Sequence, residues 1–176
     1  MLSYFSFEFD RAANQLYHFF WHEYCDWYLE LIKPVLQNPA HPECPSTRQT
    51  LQETLEIWLR LLHPFMPFIS EEIWQTLPHR GDTIVTQPYP TGDYARQDGT
   101  AEAAFRVLEH CIGLVRTARV LLNYPPGKDV QFFVAQEGDG SDQTLKALHH
   151  HVAHLGRGQV SLAPPSEWPT RTFLRL

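Results

Sequence analysis

The stretch RAANQLYHFFWHEYCDWYLELIK, residues 11–33, decides the fold. Within it Ala13, Leu16, Phe20, Tyr24, Trp27 and Leu31 recur at steps of three and four, the spacing that aligns side chains on one face of an α-helix. At 1.5 Å per residue the helix is about 35 Å long. Asp10 stands where an N-cap is expected, and Pro34 followed by Pro39 marks the expected end, because a proline ring clashes with the preceding turn and offers no N–H. Tyr17, Trp21 and Tyr28 form a second apolar stripe beside the first, so the apolar arc is wider than one neighbour requires and predicts several. For any one of these rings, packing outweighs base stacking as the expected role, since a helix buried on two or three sides needs large side chains.

Working outward, residues 37–45 are rich in Pro and form a connector, after which Ser46 and Gln49 have the spacing of a capping box that opens a second helix. Its stripe of Leu51, Leu55, Trp58 and Leu62 is interrupted by Pro64 and Pro67 before Ile69, Ile73, Trp74 and Leu77 resume a helical period. Two long amphipathic helices joined by a short connector are expected to run antiparallel. From 78 to 100 Pro, Gly, Thr and Asp dominate, with one β-prone piece at 83–86, which places a domain boundary there. Beyond it Phe105, Leu108, Ile112, Val115 and Leu122 predict a helix stopped by Pro125, Pro126 and Gly127. A strand over 129–135, a helix over 142–155, a strand over 159–163 and a weak alternation at 171–176 then suggest a small α/β unit. The expected architecture is mainly α: an antiparallel helical bundle over 1–80, a linker with a short strand over 81–100, and a small α/β domain over 101–176.

Composition narrows the function classes. With 43% hydrophobic and 13% aromatic residues, the 176-residue chain has material for a sizeable core and is not of disordered type. A net charge of −6 has the wrong sign for gripping nucleic acid by bulk electrostatics, so any RNA contact has to be local. One island runs against the trend: residues 106–128 hold Arg106, Arg116, Arg119 and Lys128 against Glu109 alone. The helix macrodipole accounts equally well for cations near that helix end. Cys25, Cys44 and Cys111 are odd in number and lack metal-ligand spacing, which points to a reducing compartment and a cytoplasmic location. No uninterrupted apolar run is long enough for a membrane span, and residues 1–10 have no basic leader pattern. The cluster His149, His150, His151 and His154 lacks an acidic or cysteine ligand nearby, so a solvated helix face is preferred to a metal site. There is no glycine-rich phosphate loop and no nucleophile elbow, so neither a catalytic residue nor a metal ligand is assigned.

Three runs, taken together, resemble the class I aminoacyl-tRNA synthetases, and within them the valyl branch. The first covers Tyr24, Cys25, Asp26, Trp27, Tyr28, Leu29, Glu30, Leu31, Ile32, Lys33 and Pro34. The second is HPFMPFISEEIW over 63–74, followed by Gln87, Pro88, Tyr89 and Pro90. The third has Val115, Arg116, Arg119, Asn123, Pro126, Gly127 and Lys128 in the family's order. The resemblance extends from about residue 7 to residue 164.

It implies the helical-bundle domain that receives the anticodon stem and loop of tRNA, here valine tRNA, followed by a junction domain. The signatures of the catalytic core are missing, as is the editing domain. The resemblance therefore assigns ATP, magnesium and the charging reaction to the parent enzyme, and the chain alone is expected to bind without catalysing. Two further bundle helices and a C-terminal coiled coil known in the family are also missing, so the rest of the synthetase is an implied partner. By position the resemblance assigns the anticodon end to Lys33, Pro34, Val35, Leu36, Gln37 and Asn38, with Val35 where a relative has a stacking aromatic and with Lys33 and Arg48 holding phosphates. It gives Arg116, Arg119, Asn123 and Lys128 to the tRNA backbone. A helical module for protein association, or a freestanding tRNA-binding protein acting in trans, are the alternatives.

Overall fold

A computed structural model describes residues 8–125, 128, 130–134 and 143–162. The expected alternation at 171–176 lies outside these. The chain divides into two compact units between Ala95 and Arg96.

The first unit is built on helix α1, a continuous rod over 9–36 in three parts. Phe9–His18 is α-helical, Phe19–Tyr28 is π-helical, and Leu29–Leu36 returns to α-helix. A π segment of this length is rare, and the sequence supplies its reason. The inward positions are Ala12, Leu16, Phe20, Tyr24, Tyr28 and Ile32, each buried or half-buried and each four residues from the last. In a regular α-helix a step of four overshoots one turn by about 40°, so five such steps would carry the stripe roughly halfway round the rod. The i→i+5 bonding puts more residues in each turn and keeps these side chains in line. Ala12 and Ile32, not Ala13 and Leu31, are therefore the buried anchors. Trp21, Tyr17 and Phe19 lie on the exposed side.

The N-terminal residue expectation is shifted as well: Glu8 precedes the helix, paired with Arg11 at 3.1 Å, and Asp10 lies in the first turn. At the other end Pro34 does not stop the helix, which continues to Leu36. Ile32 is buried and Val35 and Leu36 are half-buried, so packing sustains the final turn despite the missing N–H.

Helix α2, Cys44–Leu62, returns antiparallel. Tyr24 Oη donates to the Leu51 carbonyl at 2.8 Å, and Trp58 Nε1 donates to the Leu16 carbonyl at 3.0 Å, so numbers fall along α2 as they rise along α1. Phe20 stacks on Trp58 with centroids 3.9 Å apart. Burial, with Tyr28 and Cys25 nearby, pushes the Tyr24 hydroxyl up to about 12. The expected capping box at Ser46 and Gln49 does not form, because α2 starts two residues earlier with Pro45 in its first turn. Ser46 Oγ donates to the Glu43 carbonyl, and Gln49 bonds to Glu53 instead.

Helix α3, Pro67–Trp74, follows a proline elbow. Leu59, Trp74 and Ile84 form the buried centre, surrounded by Leu55, Trp58, Ile73 and Leu77. Residues 83–86, expected as a short strand, form a 3₁₀ turn at Ile84–Thr86. The Glu71 carboxylate explains this: it accepts from Thr83 Oγ1 at 2.9 Å and from the Ile84 N–H at 3.1 Å, pinning the segment to α3. Thus 82–88 is part of the first unit's packing.

A 3₁₀ turn, Tyr94–Arg96, straddles the division, and the second unit continues into helix α4, Gly99–Leu121. Asp98 caps α4, its carboxylate accepting from the Thr100 and Ala101 N–H groups at 3.0 Å each. Strand β1, Val130–Val134, helix α5, Gln143–Gly156, and strand β2, Gly158–Leu162, complete the small α/β unit. The strands pair in parallel, Val130 opposite Gly158 through Val134 opposite Leu162, as a helical crossover requires. Leu108, Ile112 and Val115 of α4 and Val152 of α5 are buried where the two helices pack.

Candidate nucleic-acid interface

The corner between α1 and α2 carries the seven residues assigned to the anticodon end. Lys33 is exposed in the last turn of α1 and paired with Glu30. Pro34 is exposed, Val35 and Leu36 are half-buried, and Gln37 and Asn38 are exposed. The turn is hydrogen-bonded along its length. The Gln37 N–H donates to the Lys33 carbonyl at 2.9 Å, the Asn38 side-chain oxygen accepts from the Ala40 N–H at 3.2 Å, and the Cys44 N–H donates to the His41 carbonyl at 2.9 Å. Val35 is thereby held as a partly covered apolar position flanked by polar side chains. Arg48 is exposed one turn into α2. The antiparallel register sets it beside residue 27 or so, about 9 Å along the bundle axis from Lys33. The corner thus carries two cations at separate heights, with apolar and amide groups at its tip.

In the second unit the four assigned residues differ in role. Arg116 is exposed on α4 and Lys128 is exposed beyond its end. Arg119 is half-buried and turned inward. Its two terminal nitrogens donate to the carbonyls of Pro125 at 3.3 Å, Lys128 at 3.1 Å, Gly156 at 3.0 Å and Arg157 at 2.6 Å. The guanidinium also lies 5.5 Å from the Tyr124 ring centre. It ties the end of α4 to the turn between α5 and β2. Asn123 has φ 48° and closes α4: its own N–H reaches the Val120 carbonyl and the Tyr124 N–H reaches that of Arg119. This is a Schellman closure with asparagine in the left-handed position, which its short polar side chain tolerates. Arg119 and Asn123 are accordingly structural in this geometry, a role that residue type alone did not reveal.

Other polar groups are engaged internally. Glu56 accepts from Trp74 Nε1 at 3.1 Å and from Arg60 at 2.8 Å, while Arg60 donates onward to the Pro88 carbonyl at 2.8 Å. Glu56 and Arg60 line an open groove of about 480 Å³ with Glu53, Pro78, His79, Arg80 and Gln87. Its central Glu56 carboxylate is engaged by two donor side chains. Gly81 beside it has φ 93°, and an added Cβ would lie 2.4 Å from Gln87 Nε2. Among the described residues no three His, Cys, Asp or Glu side chains gather as a metal site. His149, His150 and His154 are exposed on α5, and His151, half-buried, has its pKa lowered by desolvation and by its His150 and His154 neighbours. Cys25, Cys44 and Cys111 are free thiols. No described helix is long and apolar enough to cross a membrane.

Comparison with known proteins bears on what this geometry serves. Residues 3–134 match the family model of the anticodon-binding domain of tRNA ligase. The chain is 37% identical over 163 residues, 93% of its length, to a valine–tRNA ligase of Carboxydothermus hydrogenoformans. It is 35% identical over 168 residues, 95% of its length, to that of Staphylococcus carnosus, and 38% identical over 141 residues, 80% of its length, to that of Enterococcus faecalis. These matches cover 18%, 19% and 16% of the respective relatives, so the chain spans less than a fifth of each. By fold and by the match over three quarters of its residues, the chain belongs to the anticodon-binding domain family of tRNA ligases.

Proposed function

We propose that this chain is the anticodon-receiving part of a valine–tRNA ligase and that its cognate RNA is valine tRNA. The observation that carries the reading is the identity of 35–38% to proteins named valine–tRNA ligase over most of the chain. In this reading Lys33 and Arg48 neutralise phosphates of the anticodon loop. Val35 and Leu36 give apolar contact to an unstacked base, and Gln37 and Asn38 supply hydrogen-bonding groups to base edges. Pro34 stiffens the turn that presents them. Arg116 and Lys128 contact the RNA backbone, while Arg119 and Asn123 hold the loop on which Lys128 sits. The remainder of the ligase, including its catalytic body, further bundle helices and coiled coil, completes the enzyme in the cytoplasm. ATP and magnesium belong to that body, as the likeness to valine–tRNA ligases implies, and the chain alone is expected to bind without charging.

A salt titration of binding to valine tRNA, run beside the same tRNA with altered anticodon bases, tests the proposal. Expected is tighter binding of the unaltered tRNA and a linear fall of log K with log salt. Lys33→Ala weakens both RNAs alike and reduces the slope by about 0.7–1, as loss of one phosphate contact should. Val35→Asp narrows the difference between them. Equal affinity for both RNAs, or none for either, overturns the anticodon-reading role.

A further inference from the structure

The connector between α1 and α2 satisfies its own backbone donors. From 37 to 44 the N–H groups of Gln37, Asn38, Ala40, His41, Glu43 and Cys44 all donate within the corner, at 2.9–3.3 Å, and Pro39 and Pro42 have none to give. An RNA that meets this tip therefore meets side-chain donors, not backbone ones.

Two of these bonds fix which atoms the side chains keep for a ligand. Asn38 Oδ1 accepts from the Ala40 N–H at 3.2 Å, which leaves the amide NH2 of Asn38 as a donor. His41 Nδ1 accepts from the Glu43 N–H at 3.2 Å, so that nitrogen carries no proton and the ring holds its proton on Nε2. His41 is half-buried, and its backbone N–H bonds to the Asn38 carbonyl at 2.9 Å, so ring and amide belong to one short turn. Charge selects against a phosphate here. With histidine neutral, Glu43 is the only charged residue from 34 to 47, and it is exposed, while Lys33 and Arg48 flank the tip from outside it. The tip thus offers donors of fixed identity to an uncharged acceptor.

We infer that His41 is a specificity-determining residue of the corner, its Nε2–H donating to an acceptor atom on the edge of an unstacked anticodon-loop base. This rests on the reading of the corner as the anticodon-receiving site. The Asn38 NH2 donates alongside it, so the tip favours a base edge with ring-nitrogen or carbonyl acceptors. It rejects an edge that puts an exocyclic amino group there, because two donors would then face each other and lose their water. Selectivity is sharpened because the ring is set before RNA arrives: the Glu43 bond fixes its tautomer, and Pro42 restrains the chain between the two.

Binding of the full-length ligase to valine tRNA, and to a panel in which each anticodon-loop nucleotide is substituted singly, tests this. His41→Asn keeps an oxygen where Nδ1 sits, so the Glu43 N–H retains its acceptor, and removes the distal donor. His41→Gln places an amide N–H near the position of Nε2. In His41→Asn the penalty for substituting one nucleotide is expected to fall from about tenfold to none, with the penalties at the other positions and the salt slope kept. His41→Gln should recover most of the lost penalty, and His41→Asn should leave the thermal transition of the 176-residue chain where it was. Penalties equal to the parent's at every position overturn the inference. So does a uniform loss at all positions, or a loss that His41→Gln does not recover, since either marks a residue that only shapes the turn. A parent ligase with no penalty at any position removes the anticodon-reading role and His41 with it. A parent that discriminates, beside a His41→Asn variant that discriminates equally, removes His41 alone.

Discussion

Replacing Arg119 with lysine keeps the positive charge and removes the fork, and so separates a structural staple from a phosphate ligand. Arg119 donates four hydrogen bonds to backbone carbonyls at 2.6–3.3 Å, joining three separate segments of the second unit. A lysine ammonium is a point donor and cannot span that set. Bonds from a charged donor each contribute about 1.5–3 kcal/mol when shielded. Three of the four here are exposed, so water replaces much of their value and a net loss of about 2 kcal/mol is expected. For a unit of this size each kcal/mol moves the midpoint by about 4–8 °C, so Arg119→Lys should lower the transition of the second unit by roughly 10 °C. Scanning calorimetry reads the midpoint, and amide exchange at Leu122, Asn123 and Arg157 should quicken alongside it. The salt dependence of tRNA binding, measured well below the transition, should stay unchanged in Arg119→Lys, whereas Arg116→Ala should reduce the slope by about 1. An unshifted midpoint in Arg119→Lys refutes the staple. A reduced salt slope in a folded Arg119→Ala variant restores the residue to the RNA surface.

Three further outcomes follow from the same geometry. Trp58→Phe keeps the stack on Phe20 and loses the bond to the Leu16 carbonyl, so it should destabilise the first unit by about 1 kcal/mol; an unmoved denaturant midpoint would argue against that bond. Arg157 has φ 53°, which disfavours an L-residue by about 1–2 kcal/mol, and glycine's greater unfolded-state freedom offsets part of the relief. Arg157→Gly should therefore raise stability by about 0.5 kcal/mol, and a lower calorimetric midpoint would contradict it. The Glu71 carboxyl is lowered from 4.5, chiefly by the Gln75 side chain and further by Thr83 and the Ile84 N–H. A lowered carboxyl pKa stabilises the fold fully above the unfolded value, and that contribution is lost as pH falls through the folded one. The protection factor at Ile84, the intrinsic exchange rate over the observed one, should thus fall below pH 4.5 in the parent but be already low and flat with pH in Glu71→Gln.

The helical bundle was legible because its signals are local and repeated: apolar periodicity along 11–33 and 51–77, and prolines at 64 and 67 that break it. The finer phase of α1 was not, because a spacing of three and four presupposes 3.6 residues per turn. The strict fourfold recurrence from Ala12 to Ile32 is visible only when that assumption is dropped. The turn at 83–86 looked like a strand because β-branched residues dominate it, while its conformation is set by Glu71, a dozen residues away. The same limit applies to the basic island. Charge was countable along 106–128, yet whether a guanidinium faces water or carbonyls depends on where Gly156 and Arg157 return in space. Asn123 carried a local hint, since asparagine tolerates the left-handed conformation that ends helices.

In the proposed function the tip of the α1–α2 corner meets the anticodon loop. The most direct measurement places a photo-crosslinking amino acid at Gln37 of the full-length ligase, irradiates the complex with valine tRNA, and maps the adduct by primer extension. Adducts at anticodon-loop nucleotides are expected, and they should be lost when Val35 is also changed to Asp. Adducts confined to the acceptor stem, or none in a complex that still charges tRNA, would contradict it.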